Sequence, residues 1–429
     1  MNRSQDTQHD QQPARSSVAG LLGEIAGVGT DPVRGGYSRP VYSPAEADLR
    51  EWFIEHARRR GLDPQVDRNG IIWAWWNPSG GPLRDAVVTG SHLDSVPGGG
   101  AFDGPLGVAS ALAALDLLEV DRLRGNGSAP SRPLGLAVFP EEEGSRFGIA
   151  CLGSRLLTGT LDGARAGALR DADGVSFAEA SARHGLDPGR LGRDQEALSR
   201  IGVFVELHVE QGRGLIDLGA PVAIGSSILG HGRWRLSITG EGNHAGTTLM
   251  AGRRDPMVAA GAVIGAVRDL ARARADARAT VGRLVPVPGG TNVIASRVDL
   301  WLDVRHPDDV VTAELVAAIT VRAEEISALE GCSSSMVEES LSATVDFDAD
   351  LRRRLAATLP DAPVLATGAG HDAGVLAAHL PTGMVFVRNP TGVSHAPGEH
   401  VENDDAEAGA GALAAVLRDL LAAGPTRLG

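Results

Sequence analysis

Cysteine is almost missing from this 429-residue chain: Cys151 and Cys332 are the only two. Two thiols give no disulfide framework, and they fit a reducing cytoplasm, which is the expected location. Long apolar runs are missing too. No stretch approaches the roughly 20 residues needed to cross a bilayer, so no membrane association is expected. Met1 to Ser17 is polar, without the apolar centre of a secretion signal, and is expected to be a disordered tail. Positive charge is also in short supply. The 40 basic and 54 acidic residues leave a formal charge of −14, which argues against a nucleic-acid surface. An anionic small substrate remains compatible, because local arginines decide that. Hydrophobic content of 43% with 22% charged residues is ordinary for a globular protein, and the length makes two domains the default expectation.

The chemistry begins at Gly90-Ser91-His92-Leu93-Asp94, which continues through Pro97 and three glycines to Ala101-Phe102-Asp103-Gly104. The β-branched run Val87, Val88, Thr89 can deliver His92 to the end of a buried strand, after which the glycines let Asp103 fold back towards it. An imidazole and a carboxylate brought together this way suit a cation. Asp94 would accept the other ring N–H of His92 and so fix its tautomer. Taken alone, His92 reads equally well as a satisfied histidine in a polar turn.

Three later segments have compatible chemistry. The apolar run Leu134 to Phe139 ends at Pro140 and is followed by Glu141, Glu142 and Glu143. Adjacent carboxylates repel unless solvent or a cation screens them, and the solvated acidic loop is the competing reading. Val203 to Gly212 is a strand pattern containing His208, and Gly392 to Glu399 is a loop containing His395. Each signal is weak singly, but all lie at strand-to-loop junctions, and jointly they point to a metal site.

With these motifs in view, the chain resembles the M20 metallopeptidase-like amidohydrolases. Within them it is most similar to the branch of N-carbamoyl-L-amino acid hydrolases, allantoate amidohydrolases and yeast-type β-ureidopropionases. The resemblance runs from about Ser43 to about Asp404 through GSHLDSVPGGGAFDG, EEEGSRFG, ELHVEQG, GNHAGTT, GGTNVIAS, LDVRH, GAGHDA and GVSHAPGE, in family order. It implies that His92, Asp103 and His208 ligate one metal and that Asp103, Glu143 and His395 ligate the other, with Asp103 bridging. It implies Glu142 as general base. His208 itself favours the ureido-hydrolysing branch, since the peptidase and aminoacylase branches commonly place a carboxylate there. Two cations about 3.5 to 4 Å apart would lower the pKa of a shared water towards roughly 7, and a carboxylate off the metal could then move the proton. The nitrogen and oxygen donors fit Zn²⁺ or Mn²⁺, with Co²⁺ and Ni²⁺ as alternatives.

The resemblance also implies substrate contacts at Gln211, Asn292 and Arg305, the last a guanidinium suited to a carboxylate. Without the motif, Arg305 reads as a surface salt bridge. His244 is implied to reach the active site from a partner subunit and to stabilise the developing oxyanion, which makes a homodimer through the lid the expected assembly. His371 and Asp372 match the family without an assigned role beyond shaping the metal loop. Leu249 and Ala295 stand where the family often has proline, which bears on loop rigidity and substrate preference.

The expected fold class is α/β: a mixed-sheet, zinc-peptidase-like catalytic domain (residues 18–222 and 343–429) with an inserted α+β lid and dimerisation domain (223–342). Ser43-Pro44-Ala45-Glu46 is a capping box opening a helix that stops at Gly61. Strands are expected at 71–76 and 86–91 and a helix at 108–118. In the lid, strands fall at 233–239, 280–287, 298–304 and 333–340, with helices at 256–273 and 311–329. Ala223 to Gly232 is the expected hinge. The expected activity is cleavage of the carbamoyl group of a carboxylate-bearing ureido substrate, with release of ammonia and carbon dioxide. An N-acyl-amino acid amidohydrolase or dipeptidase on the same centre, and a non-catalytic homologue, are the alternatives.

Overall fold

Short apolar runs bounded by glycine, proline or acidic turns form the strands of one mixed sheet. The computed structural model describes residues 16–77, 80–123, 130 and 132–422. In chain order the strands are β1 (Asp63–Val66), β2 (Ile72–Trp76), β3 (Ala86–His92), β4 (Leu134–Phe139), β5 (Ile201–Val209) and β6 (Val222–Ile228). They continue with β7 (His231–Thr239), β8 (Asn243–His244), β9 (Arg278–Val287), β10 (Val293–Ile294), β11 (Arg297–Arg305) and β12 (Ser333–Ser342), and end with β13 (Val345–Asp346), β14 (Val364–Thr367) and β15 (Thr382–Val387). The large sheet runs β1-β2-β4-β3-β5-β15-β6-β13, with β14 on β6. Its centre, β4-β3-β5-β15, is parallel. All four carboxyl ends therefore open on one edge, the edge where open α/β sheets take their ligands.

Period-two alternation decides which face of β5 does what. Val203, Val205, Leu207 and Val209 join the main hydrophobic core, which the helices Pro105–Leu123 and Asn403–Ala422 also line. Glu206 and His208 alternate with them and take the opposite face. At Gly90 the backbones of β3 and β4 leave no room for a side chain, since a Cβ there would lie 2.0 Å from the Ala137 carbonyl oxygen. Gly90→Ala must push two paired strands apart, so it is expected to destabilise by about 1–3 kcal/mol or more. A wild-type denaturation midpoint would contradict this tight fit.

The chain divides into two compact units, residues 1–226 with 347–429 and residues 227–346. This division falls four residues later at both ends than the sequence pattern suggested. Most of the expected hinge is strand: Val222–Ile228 is β6 and His231 already begins β7. The inserted unit is an antiparallel sheet in the order β12-β7-β11-β9, with helices Pro256–Arg272 and Asp309–Leu329 supplying the rest of its core.

Local signals mostly act as their chemistry dictates. Ser43 caps helix Pro44–Arg59 by accepting from the Glu46 N–H at 3.2 Å. Glu46 reaches one residue beyond the expected box and accepts from Tyr42 N at 2.9 Å. Gly61 ends the helix at φ 75°. The helix after Asp103 starts three residues earlier than expected, at Pro105. Of the expected tail, residues 1–15 lie outside the described residues. Ser16 and Ser17 are placed: Ser16 Oγ accepts from Arg60 Nη2 at 3.0 Å and Ser17 caps helix Val18–Glu24.

Candidate metal centre

Each parallel strand delivers one donor to the shared edge. His92 is the last residue of β3, Glu142 and Glu143 follow β4 across Pro140, and His208 is the penultimate residue of β5. His395 lies in the segment after β15, and Asp103 lies in the turn before helix Pro105–Leu123. Two donor sets result, His92–Asp103–His208 and Asp103–Glu143–His395, each with its ligand atoms within 4.8 Å of one another. Asp103 belongs to both.

Hydrogen bonding orients the first set in the way a cation site needs. His92 Nδ1 lies 3.0 Å from the Asp94 carbonyl oxygen and His208 Nδ1 lies 3.0 Å from the Val209 carbonyl oxygen. A carbonyl only accepts, so each Nδ1 carries a proton, and in the neutral ring each Nε2 presents a lone pair. Those two Nε2 atoms are 3.4 Å apart, and both lie within 3.4 Å of Asp103 Oδ1. Three lone pairs converging in a buried space repel unless something positive sits among them. Asp103 Oδ2 faces the second set, 3.4 Å from His395 Nε2, which is 3.4 Å from Glu143 Oε2. Among the described residues Glu143 Oε1 has no hydrogen-bond partner. This donor set of nitrogen and oxygen without thiolate fits a pair of divalent cations.

In the free site, protons on the imidazoles supply that positive charge. Burial works to raise the Asp103 carboxyl, but hydrogen bonds from His208 and His92 overcome it and hold the group well below the usual range. Burial opposes charge on His92 and His208, yet Glu142 and Asp103 around the first and Asp103 beside the second raise both imidazoles. Burial, with the Asp103 charge, pushes Glu143 up to about 8. Glu142 is pushed well above its ordinary range by burial and by Asp372, Glu143 and Asp94, against the pull of His92. Its Oε2 is 3.7 Å from His92 Nε2, and its Oε1 is 3.4 Å from the Cys151 thiol.

Several expected contacts differ. The Asp94 carboxylate does not take the His92 N–H; its backbone carbonyl does. The carboxylate instead accepts from Glu142 N at 3.2 Å and Glu143 N at 3.1 Å, so it anchors the acidic turn. Gln211 Nε2 points at the carboxylate common to both sets, 2.9 Å from Asp103 Oδ2, 3.0 Å from Ser394 Oγ and 3.2 Å from His395 Nε2. That places it on the ligands themselves. His371 packs against His208 with ring centroids 4.4 Å apart, and both its ring nitrogens are buried without a partner among the described residues. Burial and His208 hold it well below the usual imidazole range, hence neutral. Glu206, His208 and His371 form a third close donor set. Asp372 accepts from Ser154 Oγ and is pushed to about 8 by burial and Glu206.

Pattern reading passed over Glu141, Glu206 and Glu399. Glu141 sits at φ 54° and its Oε1 accepts from Arg146 N and Phe147 N, which closes the turn that aims its two neighbours. Glu206 accepts from Ser91 Oγ at 3.0 Å and Ala373 N at 3.1 Å behind the first set. The available signal was the repeated acid inside quoted motifs, EEEGSRFG, ELHVEQG and GVSHAPGE.

In the inserted unit, β8 pairs with β10 so that His244 stands opposite Val293, and Ala245 N donates to Asn292 O at 3.0 Å. The two motifs are thus neighbours. Both lie at the Thr239–Arg297 end of the β7–β11 ladder, whereas Arg305 pairs with His231 at the other end. Arg305 uses Nε and Nη2 on Asp303, at 2.6 and 2.9 Å. The strand from Arg297 to Arg305 is nine residues long, roughly 26 Å at about 3.3 Å per step. The expected substrate contacts Asn292 and Arg305 therefore stand towards opposite ends of this ladder.

The sequence pattern of Peptidase family M20/M25/M40 matches residues 88–419. The chain belongs to this family. Family enzymes are metal-dependent, and the chain is a hydrolase of carbon–nitrogen bonds. It is 37% identical over 396 residues to an N-carbamoyl-L-amino acid amidohydrolase of Geobacillus stearothermophilus, covering 91% of this chain and 95% of the relative. An allantoate amidohydrolase of Escherichia coli is 31% identical, with 95% and 98% covered. Among solved structures, an amidase of the hydantoinase/carbamoylase family from Burkholderia multivorans superposes with a TM-score of 0.83 at 29% identity, covering 95% of this chain and 98% of its own.

Proposed function

We propose that this M20 member is a binuclear metal-dependent amidohydrolase that removes the carbamoyl group from a carboxylate-bearing ureido compound of the N-carbamoyl-L-amino acid or allantoate type, releasing ammonia and carbon dioxide. The carrying observation is the pair of donor sets joined through Asp103 with Glu142 beside them. Relatives named for carbamoyl and allantoate substrates support the choice of bond.

His92, Asp103 and His208 would hold one ion and Asp103, Glu143 and His395 the other, with Zn²⁺ or Mn²⁺ as first choices and Co²⁺ or Ni²⁺ as alternatives. Such ions supply Lewis acidity and a lowered pKa for water at the site. Glu142 is held off both sets, so it is free to take a proton from the attacking water and return it to the leaving nitrogen. Burial and its acidic neighbours raise its affinity for protons, as a base requires. Gln211 keeps the bridging carboxylate and His395 in register and contacts substrate from there.

Arg305 binds the substrate carboxylate, and His244 with Asn292 stabilises the reacting carbonyl. A ureido carboxylate is far shorter than the strand that separates these groups. A site that used all three would draw on two copies of the chain, in keeping with a homodimer through the inserted lid unit. Lid closure would exclude water from the reaction. A cytoplasmic location suits the unpaired Cys151 and Cys332.

A substrate panel tests the reading. With Mn²⁺ or Zn²⁺ added, kcat/KM for N-carbamoyl-L-amino acids or allantoate is expected to exceed that for N-acetyl-amino acids and dipeptides by at least ~100-fold, about 2.7 kcal/mol of transition-state discrimination. Faster turnover of the acetylated compounds or dipeptides would transfer the protein to the acylase or peptidase reading.

A further inference from the structure

Glu399 is an acid that neither donor set nor the proton transfer uses. It is 5% exposed, and its Oε1 accepts from Phe102 N at 3.1 Å and from Asp103 N at 2.9 Å. These two bonds span nearly 300 residues of sequence. They join the segment that carries His395 to the turn that carries Asp103, both of them donors of the second set. The fit is close, because a Cβ on Gly100 would lie 2.2 Å from Glu399 Oε1 and 2.5 Å from its Cβ.

The two joined segments are not equally secure without this clamp. Asp103 runs directly into helix Pro105–Leu123, and Leu106 N already donates to Phe102 O at 3.0 Å. His395 lies at φ 55° in a loop, with its side chain 49% exposed. The base of that loop is tied by Arg388 on Asp405, at 2.8 and 2.9 Å. Its first half is tied by Asn389, whose Nδ2 donates to Val393 O at 2.7 Å and whose Oδ1 accepts from Thr391 N and Gly392 N. Beyond His395, the matching anchor is Glu399.

We propose that Glu399 is a positioning residue that sets the affinity of the second cation set by clamping the His395 segment to the Asp103 turn. This rests on the two-set reading above. Glu399 Oε2 is buried and has no hydrogen-bond partner among the described residues. A glutamine can therefore keep the accepting oxygen and lose no bond at the other atom.

The test titrates full-length, chelator-treated protein with Zn²⁺ or Mn²⁺ alone, reading ions per chain by elemental analysis and affinities by calorimetry. Wild type is expected to take two ions; if it takes fewer, the two-set reading itself fails, whatever Glu399 does. Glu399→Ala is expected to keep one ion at wild-type affinity and to weaken the other about 10- to 100-fold, the usual cost of losing a partner that orients a ligand. Glu399→Gln should restore the second ion to within a few-fold of wild type, about 1 kcal/mol or less. Gly100→Ala keeps the carboxylate but occupies its space, so it should weaken the same ion. Two ions at wild-type affinity in Glu399→Ala would overturn the proposal, as would equal weakening of both ions that glutamine does not relieve. Should Glu399→Ala not fold, Gly100→Ala decides: wild-type affinity for both ions there overturns the clamp.

Discussion

Glu142→Gln is expected to keep its metal and its fold while losing about 10²- to 10⁴-fold in kcat, the range a positioned acid–base group contributes. The side chain is 5% exposed and lies between His92 and Cys151. Glutamine fills the same volume but cannot accept a proton from water. A charged carboxylate at this position works against burial and against Asp372, Glu143 and Asp94. The neutral amide removes that cost, so the thermal midpoint should hold or rise while turnover falls, the trade that active-site acids commonly show. Steady-state kinetics with parallel metal analysis checks this. Substantial turnover in a metal-loaded Glu142→Gln preparation would remove Glu142 from the role of base.

The second large effect falls on Asp103. It alone is common to both donor sets, with Oδ1 facing His92 and His208 and Oδ2 facing His395. Asp103→Ala should therefore lose high-affinity binding of both ions. Each should weaken by more than the roughly 10- to 100-fold that loss of an outer hydrogen-bonding partner costs. His208→Ala and His395→Ala, which each touch one set, should leave one ion in place. An Asp103→Ala protein that still takes one ion at wild-type affinity would show that the two sets do not share this carboxylate.

The candidate donors were legible because each is a distinctive residue type at a punctuated strand end or in a glycine-bounded turn. His92 follows a β-branched run, the acidic turn follows Pro140, and His208 alternates with valines and leucine. The parallel centre of the sheet then brings separate motifs to one edge, which the order of strands and helices already suggested. Contacts that depend on the third dimension were not legible. Asp94 sits two residues from His92, which favours a local bond, but its carboxylate is taken by amides of a different strand's turn. Gln211 sits on Asp103, 108 residues away. Asn292 and Arg305 are 13 residues apart in sequence, yet β11 runs between them and carries them to opposite ends of a sheet. The glycine- and serine-containing stretch at 223–232 resembles a linker in composition, but Val222–Ile228 is a strand because Ala223 and Ile224 pair with β15.

The account stands on two cations shared by five side chains. Its most direct test is an anomalous-difference map from a crystal of the metal-replete protein, collected at the absorption edge of the bound metal. The account predicts two peaks on each chain, one within coordination distance of His92, Asp103 and His208, and the other within coordination distance of Asp103, Glu143 and His395. A map that placed the metal elsewhere, or that showed a single ion with Asp103 bound to nothing else, would contradict it.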